Sequence, residues 1–423
     1  MRKISKLSLV AAVAVAGFST ANAQPLEEAI KNVDVSGSVV YRYNDYNNDR
    51  EVNGVKLADK SDTNNNYKIG LNLSSKVNDY VKFNSRFLVA SSTGDFAGPL
   101  NTQTGSDVNP DVTLSHANFA FTGIKNTTIT AGKQGLTTPW TVALDSDGNE
   151  QTGTGILALS TVGPVTFAGA YFNQTNLDES GDLAGTLKTV MANPTLGKNI
   201  GSLDIATVGV IADLSPVTLD AWYLNMDQAF DTYTVGAKSD FKFDGGKFGV
   251  DARYVSLTLK ESVARAAGML NGADVIDSNS LAKIALTGNV GIVNAKVAYA
   301  KTDKDGGITS LDRDSETALL GWSLHTVGKA DADYWQGVLG VNILDNLNLS
   351  ANYGNLQYKA SNLANAADME EEEVYAQLTY KMSKNLSTYV RYGTYTRETT
   401  PVGGVKTEIN DDLRGRIQVE YTF

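Results

Sequence analysis

The stretch Leu347-Asn-Leu-Ser-Ala-Asn-Tyr353 places an apolar or small residue at every second position and ends on a tyrosine. A period of two is the pattern of a β-strand with one apolar and one polar face. Closely similar stretches recur six more times along the chain, ending at Tyr171, Tyr223, Tyr254, Tyr299, Tyr380 and Tyr392. One type of strand repeated from end to end predicts an all-β protein.

The tyrosine at the end of each stretch indicates a membrane interface. Its ring packs against acyl chains while its hydroxyl reaches the head groups. A soluble β-sandwich with tyrosines packed across its strands is the alternative. Short turns such as Gly163-Pro164 and Asp345-Asn346 alternate with long polar loops, as in outer-membrane barrels. We therefore expect a transmembrane antiparallel β-barrel.

The strand count rests on one ambiguous segment. Nineteen segments resemble strands, but the apolar residues of Glu316 to His325 do not alternate. A bacterial single-chain barrel needs an even number of strands, so we assign this segment to a long loop over residues 303–333. Eighteen strands remain, which predicts a general-porin-like barrel.

The first residues predict export. Arg2, Lys3 and Lys6 precede the apolar run Leu7 to Phe18, and Ala21-Asn-Ala23 matches a cleavage site. The alternative is a membrane anchor, but twelve apolar residues fall short of the roughly 20 that span a bilayer. We expect a signal peptide over residues 1–23 and one barrel domain over residues 24–423.

Charge and cysteine content exclude several classes of protein. The formal net charge is −11, and it would become −14 after cleavage because residues 1–23 hold three basic and no acidic residues. Nucleic acid is therefore not an expected partner, since phosphate binding needs a basic patch. The chain has no cysteine, so disulfides do not stabilise it.

Several stretches resemble the major outer-membrane porins of Campylobacter and related bacteria. They are Lys6-Leu-Ser-Leu-Val-Ala-Ala, Pro25-Leu-Glu-Glu-Ala-Ile-Lys-Asn-Val-Asp-Val-Ser-Gly37, Tyr41-Arg-Tyr43, Ala131-Gly-Lys-Gln134 with Trp140, and the terminal Phe423. The resemblance implies a homotrimer of 18-stranded barrels whose third loop folds inward, and it implies bound calcium. Loops 174–202 and 260–333 diverge, so it implies nothing about solute preference.

The alternation also assigns side chains to the lumen. Basic residues opposite the apolar stripe are expected to line the pore, since a charge facing lipid at mid-bilayer costs about 2–4 kcal/mol. These are Arg42, Lys68, Lys82, Arg86, Arg253, Lys296, Arg391, Arg414 and Arg416. Some of them are alternatively expected to pair within the wall, as Asp251 near Arg253 and Glu420 near Arg416 suggest.

The third loop, residues 135–155, is the predicted constriction. It carries Trp140, Asp145, Asp147 and Glu150, and it holds no basic residue after Lys133. Folded inward, its carboxylates would face Arg42, Lys82 and Arg86 and create a transverse field. The alternative is an exposed surface loop, and residues 174–202 are the next choice for a constriction.

Two acidic segments raise the hypothesis of calcium binding, with no cofactor required. Asp145, Asp147 and Glu150 offer three carboxylates within six residues. The stretch from Asp303 to Asp312 resembles a shortened EF-hand loop, and a solvated turn is the favoured interpretation.

Together these patterns predict an outer-membrane porin for passive diffusion of ions and small hydrophilic solutes, surrounded by lipid and lipopolysaccharide. A structural or adhesive barrel with a closed lumen is the alternative. An enzyme is not expected, because only His116 and His325 are available as bases and neither lies in a nucleophile motif.

Overall fold

The computed structural model describes residues 33–52, 55–56, 60–93, 96, 110–146, 148–180, 185–271, 273–362 and 365–423. The expected signal peptide lies outside the described residues. No helix among them is long and apolar enough to cross a membrane.

Eighteen strands form one antiparallel sheet that closes on itself, which confirms the predicted fold and strand number. In chain order they are β1 Val33–Val52, β2 Lys60–Lys76, β3 Val81–Ala90, β4 Asp111–Ile124, β5 Thr127–Gly135, β6 Thr152–Val162, β7 Val165–Thr175, β8 Ile205–Asp213, β9 Val217–Met226, β10 Phe230–Phe243, β11 Gly246–Leu259, β12 Ser278–Val290, β13 Val293–Thr302, β14 Ala330–Leu344, β15 Leu347–Lys359, β16 Asp368–Lys381, β17 Leu386–Thr400 and β18 Thr407–Thr422. Each pairs with its neighbours in sequence. Val55–Lys56 pairs antiparallel with the end of β1, and Leu270–Asn271 pairs separately with Asp274–Val275.

The first and last strands close the barrel. Val39 is registered with Tyr421 and Tyr41 with Val419. Gly37 and Phe423 exchange two backbone hydrogen bonds of 2.9 and 3.1 Å. The sheet therefore has no open edge between its first and last strands, which is the condition for crossing a hydrocarbon layer with strands.

The outer surface carries the apolar stripe that the sequence predicts. Six of the seven tyrosines that end the repeated stretches are 36–57% exposed, and Tyr299 is partly covered by the ring of Trp335 at 4.4 Å. The Tyr171 hydroxyl donates to Asp204 at 2.8 Å, and the Tyr353 hydroxyl donates to Glu372 at 3.0 Å. Each such ring lies between apolar wall and carboxylate, so these tyrosines mark the edge of the lipid-facing belt.

The helices that the structure describes lie in the long loops, at one end of the barrel. Helices α1, Gly185–Ala192, and α2, Glu261–Ala266, lie in the β7–β8 and β11–β12 loops, and a short 3₁₀ turn covers Ile200–Ser202. Buried apolar side chains of these loops meet the inward-facing ends of the strands beneath them. The loop side chains include Leu136, Trp140, Met191, Ile200, Leu311 and Leu324, and the strand side chains include Phe230 and Leu257. This apolar cluster inside the upper barrel is not evident from the strand pattern, which predicts a polar interior.

Candidate constriction site in the barrel lumen

The loop between β5 and β6 lies inside the barrel. We call residues 136–151 the first inward loop. Lys68 on the inward face of β2 donates from Nζ to the backbone oxygens of Asp145 at 2.7 Å and Gly148 at 2.6 Å. Because a lumen-facing side chain holds the loop backbone, the loop is within the barrel and not on its outer surface.

A buried ion pair fixes the end of the first inward loop. Arg86 on β3 donates to both oxygens of Glu150, with the shortest contact at 2.5 Å, and Ser115 of β4 donates to Glu150 at 2.8 Å. The side chains of Arg86 and Glu150 are 8% and 1% exposed, so each charge depends on the other. Gly70 leaves room for the guanidinium, since a Cβ there would come within 2.3 Å of Arg86 Nη2.

Trp140 anchors the first inward loop and does not face solute. Its side chain is completely buried in the apolar cluster. The Trp140 carbonyl accepts from Leu311 N at 3.0 Å, and Gln151 Nε2 donates to the Leu311 carbonyl at 2.7 Å. The first inward loop is thus bound to a second segment from far along the chain.

That segment, residues 303–329 between β13 and β14, also enters the lumen. We call it the second inward loop. Lys283 on β12 donates to the Ala318 carbonyl at 2.8 Å, and Lys238 on β10 donates to Glu316 at 2.7 Å. On another part of the wall, Glu373 of β16 accepts from the backbone of the loop at Trp322 and Ser323.

The sequence did not predict this second inward loop. The strand pattern assigns residues 303–333 to a long loop without indicating its path, and it makes residues 174–202 the next choice for a constriction. The signal was present in Glu316 to His325, whose apolar residues do not alternate because they are covered on several sides. Gly321 permits the close approach, since a Cβ there would lie 1.9 Å from Glu373 Oε1.

The predicted calcium ligands are only partly brought together. Asp145 lies with Asp312 and Asp314 of the second inward loop, and one carboxylate oxygen of each is within 4.8 Å of the others. Glu150 is not in this group, because Arg86 and Ser115 hold its carboxylate against the wall. Asp147 lies outside the described residues. The start of the EF-hand-like stretch is a turn in which Asp303 accepts from the backbone of Asp305.

The remaining basic residues predicted to line the pore project from the inward face of the wall. Arg42 donates to Gln418, Lys296 to Gln336, and Arg253 forms a 2.8 Å ion pair with Asp220. Lys82 is exposed near the short turn between β2 and β3 and so lies far from the first inward loop, contrary to prediction.

Two expected pairings differ from those in the structure. Asp251 lies 3.6 Å from Lys238 and not beside Arg253. Arg416 donates to Asn44 at 2.7 Å and to the Tyr46 hydroxyl at 3.0 Å, and Glu420 is not among these partners. Neighbouring strands supplied these partners, and a sequence pattern within one strand does not specify them.

Arg391, Arg414 and Arg416 form a group on β17 and β18 beside the second inward loop. The Arg391 guanidinium lies 5.0 Å from the Trp322 ring centroid and that of Arg416 lies 5.8 Å from it. Arg414 donates to Ser323 and Asp412. Three guanidinium groups therefore lie on the inward face of β17 and β18, next to the second inward loop.

Comparison with known families gives one match over the full length. The family model described as Campylobacter major outer membrane protein matches residues 1–423. No curated protein matches the chain significantly.

Solved structures share the fold at low sequence identity. OpdK of Pseudomonas aeruginosa superimposes with a TM-score of 0.65 at 14% identity, covering 92% of this chain and 98% of that one. OccK8 (OprE) of the same organism gives 0.65 at 17% identity with the same coverage. OccAB1 of Acinetobacter baumannii gives 0.65 at 14% identity, covering 92% and 97%.

Proposed function

The chain belongs to the Campylobacter major outer membrane protein family, and because two of its loops enter the lumen, we propose that they constrict the channel together. It is a porin of the Gram-negative outer membrane, a channel and not an enzyme, through which ions and small hydrophilic solutes diffuse passively. The remaining question is which residues sort those solutes.

One observation carries the proposal: lumen-facing side chains hold both loops. Lys68 and Arg86 bind the first inward loop, and Lys283 binds the second. Asp145 and Glu316 are carboxylates of the two inward loops. Arginines of β17 and β18 meet the second inward loop at Trp322 and Ser323. A transverse field between them would orient dipolar solutes and favour small hydrophilic ones.

Shortening the first inward loop tests this constriction. Val142 O accepts from Gln151 N at 2.9 Å, so the residues between them form a self-contained excursion. Replacing residues 143–149 by two glycines keeps that hydrogen bond and the Arg86–Glu150 pair. We expect higher single-channel conductance in a planar bilayer and faster entry of larger sugars into liposomes, with the β-sheet circular dichroism unchanged.

The matched control shortens a loop that faces outward. Val402 and Val405, between β17 and β18, are 66% and 83% exposed, and replacing residues 402–405 by one glycine should leave conductance unaltered. If the first-loop variant conducts as the parent does, the first inward loop does not limit flow. A folded parent protein without conductance would favour the adhesive barrel with a closed lumen.

We also propose that Asp145, Asp312 and Asp314 hold a calcium ion. Three carboxylates this close repel one another when ionised, and hard oxygen donors are the ligands that calcium prefers. Bound there, the ion would supply positive charge that joins the two inward loops. Asp145 is buried, so a cation at this position would screen its charge more than solvent does.

We also propose how the chain is exported and how it assembles. The family resemblance supports a homotrimer in contact with lipid and lipopolysaccharide. The pattern of residues 1–23 supports cleavage of a signal peptide before insertion.

A further inference from the structure

Two arginines of the wall stand directly opposite one another. Arg391 on β17 is registered with Arg416 on β18, and both belong to the inward face. Side chains at directly opposed positions lie close together, so like charges there destabilise a sheet unless other groups offset the repulsion. The surroundings of this pair therefore indicate what it is suited to bind.

The side chains in direct contact with the Arg391 guanidinium are neutral. Its Nε donates to Gln377 Oε1 at 2.8 Å, and the ring centroids of Trp322, Tyr375 and Tyr389 lie at 5.0, 4.9 and 5.1 Å. Within the part of the chain that the structure describes, no ion pair includes Arg391. Ring faces attract a guanidinium but do not neutralise it, so positive charge remains at this position.

Two nearby acidic groups also bind other partners. Glu373 accepts from the backbone nitrogens of Trp322 at 2.8 Å and Ser323 at 2.7 Å, so it positions the second inward loop. Asp412 pairs with Arg414 at 2.6 Å. Glu373 therefore holds the loop backbone, and Asp412 holds Arg414.

Trp322 gives this charged surface an apolar border. It lies in the second inward loop, and its ring is 5.2 Å from that of Tyr375 and 6.5 Å from that of Tyr46. A solute beside Arg391 and Arg416 would thus meet two guanidinium groups and a group of aromatic edges. This combination suits a molecule with an anionic end and an apolar body.

We propose that Arg391, Arg416 and Trp322 form a binding subsite for small organic carboxylates on their way through the channel. A guanidinium presents paired N–H donors that match the two oxygens of a carboxylate, and the rings contact its apolar body. The subsite rests on the proposed constriction, because Trp322 reaches the arginines only as part of the second inward loop.

Current block by benzoate tests the subsite. The full-length mature protein is reconstituted in a planar bilayer in KCl, and sodium benzoate or uncharged benzyl alcohol is added. Benzoate should reduce the current in a saturable way and benzyl alcohol should not. Arg391→Gln should raise the half-blocking benzoate concentration about tenfold, the effect of losing a charge-assisted hydrogen bond. Arg391→Lys, which keeps the charge but loses the fork, should fall between the two.

Lys242→Gln is the matched control. Lys242 lies on the inward face of β10, four residues from Lys238 and toward the short-turn end, so its loss removes one lumen charge elsewhere. Its half-blocking concentration should stay within about twofold of the parent value. Unchanged KCl conductance and circular dichroism show that each variant is folded.

The outcomes distinguish a failure of the proposed subsite from a failure of the proposed channel function. Equal block of the parent and of Arg391→Gln, or equal block by benzyl alcohol, overturns the subsite and leaves the porin intact. An equal loss of affinity in Lys242→Gln also overturns it, because total charge then suffices. A parent protein that conducts no current contradicts the proposed function itself.

Discussion

Two acidic residues of the first inward loop, Glu150 and Asp145, differ in the charge of their nearest partners. Glu150 is neutralised by Arg86 and fixes the loop to the wall, whereas Asp145 lies with Asp312 and Asp314. The sequence predicted that both belong to one acidic loop facing basic wall residues. It did not predict which of them would anchor the loop, because the deciding partners lie more than 60 residues away.

At the same scale, His325 makes the second inward loop sensitive to acid. Burial and the charges of Lys329 and Arg313 lower the pKa of His325 to about 4, from an ordinary value near 6.5. The folded chain therefore binds fewer protons than the unfolded chain between these pH values. The folded state holds His325 neutral, and its contribution to the free energy of unfolding is fully present above pH 6.5. This contribution is lost as the pH falls through about 4.

We expect the parent protein to lose more stability than His325→Gln between pH 7 and pH 4, by on the order of 3 kcal/mol if the shift is fully expressed. Comparing the two cancels the titration of the many carboxylates. The measurement is the melting temperature of the detergent-solubilised protein as a function of pH. Parallel curves for parent and variant would show that His325 titrates normally in the folded protein.

Among the elements, strands and loops differ in how far the sequence specifies them. The strands are predictable from the period of two, because alternate side chains of a barrel strand face the lipid and the lumen. The inward path of the loops depends on contacts between distant segments, such as Leu311 with Trp140 and Trp322 with Arg391. No local pattern encodes those contacts, so the strand period alone does not predict that residues 303–329 turn inward. Lys82 is a different case, because its place beside the short turn between β2 and β3 puts it far from the first inward loop.

Calcium removal is the prediction for the pair of inward loops. Chelation should lower the melting temperature of the parent protein, because the three carboxylates would then repel one another. Replacing Asp145 and Asp312 together by Asn should abolish that sensitivity. Asp305→Asn is the control: this residue of the same loop pairs with Lys304 outside the cluster, so its variant should respond to chelator as the parent does. A parent melting curve unaffected by chelator would show that no calcium ion stabilises the two inward loops.

For the whole molecule, the barrel and its compartment were predictable because they depend on composition and on one repeated pattern. Ion selectivity depends on the balance of all lumen charges, which the pairings of individual residues modify. Arg86 and Arg253 are paired with Glu150 and Asp220, so each of these pairs adds little to the lumen field in either direction. The net charge of −11 over the sequence given then favours cations.

We therefore expect a reversal potential of cation sign in a KCl gradient. The preference should weaken as ionic strength rises, since exposed charges are screened beyond about 8–10 Å near physiological salt. Recording the same gradient ratio at low and high absolute concentration provides the control. A reversal potential of anion sign would mean that the arginines of β17 and β18 dominate the lumen field.

The second inward loop is tied to β10 and β12 through Lys238 and Lys283 and to β16 through Glu373. Those strands are not adjacent, so the loop acts as a cross-brace along a chord of the cylinder. A hollow sheet under lateral pressure from the surrounding leaflets flattens most easily into an ellipse. A brace between distant parts of the rim resists that flattening, and it keeps the bore round when the membrane is compressed.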